Sequence, residues 1–94
     1  MTHCDRYFEK INNRHPSIVQ DLIEVFRSEG STSPQRSINL LQIRLAYLDI
    51  TGEDFPVKGG TRVQMSFILT VPYVCCFSNA AGTLRFYLMV EPKQ

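Results

Sequence analysis

Residues 62–73, Arg-Val-Gln-Met-Ser-Phe-Ile-Leu-Thr-Val-Pro-Tyr, place Val63, Met65, Phe67, Leu69, Val71 and Tyr73 in strict alternation with Arg62, Gln64, Ser66, Ile68, Thr70 and Pro72. A period of two is that of a β-strand with one wetter face, so the stretch predicts a strand. Pro72 cannot donate to a ladder, which puts the strand's end at a sheet edge or a bulge. Beyond Ser78-Asn79-Ala80-Ala81-Gly82, the residues Leu84, Phe86, Leu88 and Val90 alternate in the same way with Thr83, Arg85, Tyr87 and Met89. The two runs are expected to pair as an antiparallel hairpin. Upstream, the proline and paired glycines of residues 52–60, Gly-Glu-Asp-Phe-Pro-Val-Lys-Gly-Gly, mark a loop.

On this reading the hairpin's outer face carries Ile68, Tyr87 and Met89, too apolar for a two-stranded ribbon in water. Large exposed apolar patches mark interfaces, so these three, with Phe67 and Phe86, are the expected interface residues. The competing reading covers the face within the chain, by a third strand from residues 75–77 or by the loop around Phe55.

The N-terminal half reads as helical. Thr2 can cap a short helix over residues 2–13 that aligns Cys4, Tyr7, Phe8 and Ile11, and His15-Pro16 stops it. In residues 17–29, Ser17 and Gln20 form the pattern of a capping box, Ile18, Val19, Leu22, Ile23 and Phe26 form an apolar stripe, and Gly30 is placed as a left-handed C-cap. Ser33-Pro34 has the form of an N-cap followed by proline at the first helical position and is expected to open a third helix. Polar Asn39, Gln42, Arg44 and Asp49 fall on both faces of a strand, whereas Gln35, Asn39, Gln42, Ala46 and Asp49 share one face of a helix; residues 38–50 are therefore expected to be helical, with Gly52 as the stop. The fold class that follows is α+β: two to three N-terminal helices, then a C-terminal antiparallel β-hairpin or small sheet, in one domain over residues 1–94.

Ten Lys and Arg against nine Asp and Glu leave a net charge of +1 in 94 residues, so no overall field draws the chain to nucleic acid or to an anionic membrane. The uncharged stretch 64–84 is long enough for a membrane helix, but Gln64, Ser66, Thr70, Pro72, Ser78, Asn79 and Gly82 interrupt it. Three cysteines, Cys4, Cys75 and Cys76, are an odd number with one adjacent pair, which speaks against a disulfide scaffold and for a reducing compartment, cytoplasm or nucleus.

Candidate chemistry is sparse. His3, Cys4, Asp5 and His15 form the one cluster that could suggest a metal or a thiol nucleophile, but their spacing is not that of a zinc site, and a cysteine beside a chain terminus is poorly placed for catalysis. No phosphate loop, metalloprotease, nucleophile-elbow or dinucleotide pattern occurs, so neither an enzyme nor a cofactor is expected. Ser33-Pro34-Gln35-Arg36 fits a proline-directed kinase site. Leu41, Leu45, Leu48 and Ile50 fit the spacing of a leucine-rich nuclear export signal, although the simpler reading makes them core residues of the third helix.

The expected function is a small non-enzymatic protein-interaction or regulatory module that self-associates through the apolar ribbon or the leucine-rich helix, as an accessory protein of a virus or phage could. The second reading rests on element order alone, which resembles a winged helix-turn-helix nucleic-acid binder; Arg36, Arg44, Lys58, Arg62 and Arg85 would then be the contact residues.

Overall fold

The structure, a computed structural model, describes residues 3–89. In chain order it contains α1 (His3–Arg14), α2 (Ile18–Ser28), a single 3-10 turn (Pro34–Arg36), α3 (Leu40–Thr51), α4 (Thr61–Ile68), β1 (Val74–Ser78) and β2 (Leu84–Leu88). Helices followed by an antiparallel two-stranded sheet give the α+β class. Among the described residues, no helix is long and apolar enough to cross a membrane.

The helix ends show which local signals operate. α2 closes on Gly30 at φ 68°, where the Gly30 N–H donates to Arg27 O (3.1 Å) and the Ser31 N–H to Phe26 O (2.8 Å). This paired closure needs the left-handed backbone that glycine adopts without a Cβ clash. The Ser17/Gln20 capping box does not form. Ser17 sits at φ −99°, ψ 9°, outside the extended region a cap requires, and its hydroxyl turns to Asp21 Oδ2 instead. A capping box does form at α3, where Asn39 Oδ1 accepts from the Gln42 N–H and Gln42 Oε1 accepts from the Asn39 N–H, both at 2.8 Å; the Thr2 cap expected for α1 lies outside the described residues. Pro34 opens only the 3-10 turn, since Ser37 swings to ψ 157° and ends it.

Residues 62–73 are the main correction. They are not a strand: residues 61–68 form α4, and the chain turns through 69–73 before β1. Apolar residues at alternate positions include pairs four apart, so Val63, Phe67 and Val71 satisfy a helical stripe as well as a strand face. Burial selects the helix. Phe67 and Ile68, consecutive in sequence and opposite on a strand, are both fully buried, with Val71 beside them, while Arg62 and Leu69 face water.

The hairpin is displaced accordingly. β1 uses Cys75–Phe77, the segment otherwise read as a third strand, and pairs with β2 in the register Val74↔Leu88, Cys75↔Tyr87, Cys76↔Phe86, Phe77↔Arg85 and Ser78↔Leu84. Asn79 builds the turn, its side chain accepting from the Ala81 and Thr83 N–H groups. The far edge of β2 is occupied: Ile38 exchanges two backbone bonds with Phe86, and the Leu88 N–H donates to Ser31 O.

The core gathers α2, the inner faces of α3 and α4, and the inner face of the hairpin around Leu22, Phe26, Ile43, Tyr47, Phe67 and Phe86. Edge-to-face aromatic contacts link Phe8 to Phe67 (5.1 Å), Phe67 to Phe55 (6.3 Å) and Phe55 to Tyr47 (5.4 Å), tying α1, α4, the 52–60 loop and α3 together. Phe67, Ile68 and Phe86 are therefore core residues, corrected from the interface set; Tyr87 and Met89 keep to the outer side.

Candidate interaction surface

α3 carries two apolar stripes. Ile43, Ala46 and Tyr47 are buried against the core. On the other side Leu41, Leu45 and Leu48, spaced i, i+4 and i+7, leave 57%, 56% and 41% of their surface in water. The core assignment of these leucines is thus overturned. Ile50, the fourth residue of the export-signal spacing, is also exposed but lies a half-turn away around the helix and lines a separate polar cleft with His15, Asp21 and Glu53.

The leucine stripe borders a groove of about 260 Å³. Phe55 and Val57 form its inner wall, and Arg44, Asp54, Lys58 and Gln64 stand around it. Two hydrogen bonds hold that wall in place: the Lys58 N–H donates to the Tyr7 hydroxyl of α1 (2.6 Å), and Gln64 Nε2 of α4 donates to Val57 O (2.9 Å). A capped helix on one side and a pinned loop on the other give the groove fixed walls.

The hairpin presents the second apolar surface. Its inner face, Val74, Cys76, Leu84, Phe86 and Leu88, packs on the core. Its outer face sets Cys75 across from Tyr87 and Phe77 across from Arg85, with the Phe77 and Tyr87 rings 6.3 Å apart. The hydrogen bond that the Tyr87 hydroxyl donates to Cys75, followed by burial, holds that hydroxyl above its ordinary pKa, and burial raises the Cys76 thiol. Burial, reinforced by the charges of Asp21 and Glu53, raises Tyr47.

The cations proposed for nucleic acid are not drawn into one stripe. Arg44 and Lys58 flank the leucine groove, and Arg36 lies on the 3-10 turn near Gly30. Arg62 lies in the first turn of α4, and Arg85 donates to both the hydroxyl and the carbonyl of Ser37. α4 also intervenes between the third helix and the hairpin. The side chains of His3 and Cys4 lie outside the described residues. Within those residues no group of three or more His, Cys, Asp or Glu side chains could hold a metal ion. Neither a protein-family model nor a curated protein matches the chain.

Of these features, the leucine stripe was visible in sequence only as a spacing that also fits a core helix. The Asn39 capping box is written in the sequence as Asn-x-x-Gln, but a helix opening at Ser33-Pro34 would make Asn39 an interior residue, which hides the signal.

Proposed function

We propose that the chain is a non-enzymatic protein-interaction module whose docking face is the Leu41, Leu45 and Leu48 stripe of α3 with the groove beside it. The observation that carries this reading is three large aliphatic side chains held in water on a capped helix whose core-facing stripe is already complete. The groove takes an amphipathic helix, whose i, i+3 and i+4 side chains interleave with such a stripe. Arg44 and Lys58 at the rim, against the single carboxylate of Asp54, select a helix with acidic residues beside its apolar ones.

The test is amide-shift mapping by NMR with two synthetic amphipathic helices of matched apolar pattern, one acidic and one basic. The acidic helix should shift α3 and residues 54–58, weaken with salt, and lose its effect in Leu45→Lys. Equal binding of the basic helix, or shifts confined to the hairpin, would refute the assignment.

A further inference from the structure

We infer that the free edge of β1 pairs with the same edge of a second copy, antiparallel about a two-fold axis beside Cys76, to make a continuous four-stranded sheet. This surface is separate from the leucine groove and does not rest on it.

The strand ladder fixes which backbone groups are free. Met89 N–H donates to Tyr73 O, and Asn79 N–H to Thr83 O, so in the β1–β2 register the bonded pairs are the odd-numbered β1 residues Cys75 and Phe77. The N–H and C=O groups of Cys76 and Ser78, and the C=O of Val74, point the other way. None of these groups has a hydrogen-bond partner among the described residues, whereas the opposite edge of the sheet, on β2, is bonded to Ser31 and Ile38.

Natural edge strands are protected by lysine, proline, a bulge or a covering element. β1, Val-Cys-Cys-Phe-Ser, has no lysine, proline or bulge, and the uncharged stretch 64–84 contains it. Two copies therefore meet there without like-charge repulsion.

The strand is complementary to itself in one register. With Cys76 opposite the partner's Cys76, the two amides exchange hydrogen bonds, and each Ser78 N–H reaches the partner's Val74 carbonyl. On the outer face each Cys75 then sits across from the partner's Phe77, extending the apolar surface of Phe77 and Tyr87 over both chains. Two-fold symmetry is what an antiparallel strand meeting its own copy generates. The five-residue edge is about 17 Å long. That length supplies less than the ~800 Å² per partner of a standard interface, so the dimer is reversible and concentration-dependent.

Sedimentation equilibrium up to millimolar concentration reads the association. Ser78→Pro removes an N–H that no group among the described residues uses and blocks the edge, so it should raise the dimer dissociation constant at least about tenfold with an unchanged circular dichroism spectrum. Leu45→Lys should leave the dimer intact while abolishing acidic-helix binding. Should Ser78→Pro disturb the fold, the register is read in the parent chain: with Cys4 and Cys75 replaced by Ser, diamide should link Cys76 to its counterpart, since directly opposed residues in a bonded pair lie ~5.5 Å apart at Cα, within disulfide range. The inference fails if the parent chain stays monomeric, if Leu45→Lys rather than Ser78→Pro breaks the dimer, or if a Cys75-only chain cross-links faster than a Cys76-only chain.

Discussion

Truncating Leu45 and truncating Leu22 to Ala should have very different consequences, although both are leucines on the apolar stripes of amphipathic helices. Leu22 is fully buried on α2, and Leu45 keeps 56% of its surface in water on α3. Complete burial of a leucine is worth roughly 1.5–3 kcal/mol, so a side chain less than half removed from water contributes about 1 kcal/mol or less. Alanine is also the better helix former, which offsets part of even that loss. Leu22→Ala, by contrast, removes the transfer energy and leaves a cavity that its neighbours fill only in part, a cost of about 2–5 kcal/mol. Urea unfolding followed by far-ultraviolet circular dichroism separates the two, provided the slopes agree so that midpoints can be compared. Leu45→Ala should shift the midpoint little and Leu22→Ala a great deal. A Leu45→Ala loss matching that of Leu22→Ala would mean that the stripe is covered within the chain, and the docking face would be refuted with it.

Two further outcomes test the local physics. Asn39→Ala removes the side-chain half of the α3 capping box and should cost ~1 kcal/mol in the same unfolding experiment, whereas Ser17→Ala, whose hydroxyl caps nothing, should cost clearly less. Tyr47 is held above its ordinary pKa of 10.0, chiefly by burial. Above pH 10 the unfolded chain therefore releases this proton while the folded chain retains it, so stability present at neutral pH falls as pH rises toward the folded value; Tyr47→Phe should flatten that part of the alkaline unfolding curve.

α2 was legible because several independent signals agree: the stripe through Ile18, Leu22 and Phe26, a polar opposite face, and Gly30 at the left-handed cap. α3 was legible as a helix but not as a two-faced one. Its polar positions were assigned to one side together with Ala46, yet Ala46 is buried and the leucines are exposed, since stripes at 41/45/48 and 43/46/47 have the same helical spacing. Which of two apolar stripes meets the core depends on where α2 lies, and that is a tertiary fact.

Residues 62–73 failed for a different reason, because Val63, Phe67 and Val71 meet both periods. The neighbouring residues held the better clue. Val74 to Phe77 is a short β-branched, cysteine and aromatic run that leads directly into the Asn79–Gly82 turn, and a hairpin needs its strand to abut its turn. The earlier alternating segment, six residues from that turn, could not supply it. The outward placement of Tyr87 and Met89 follows from the period of β2 alone, so it does not depend on which segment pairs with that strand.

The leucines of α3 remain in water because the segment best placed to cover them is committed elsewhere. The 52–60 loop follows α3 directly and carries Phe55 and Val57, apolar residues that could have folded over the stripe. Instead Phe55 stacks between Tyr47 and Phe67, and Val57 is fully buried, so both close the core beside α3 rather than its outer side. The Tyr7 hydroxyl on the Lys58 N–H and the Gln64 amide on the Val57 carbonyl then hold the loop away from the leucines. Drawing it across the stripe would break both hydrogen bonds and expose two apolar side chains to cover three. The exchange is unfavourable on hydrogen bonding and close to neutral on area, which leaves the groove open and the leucine stripe beside it available to another chain.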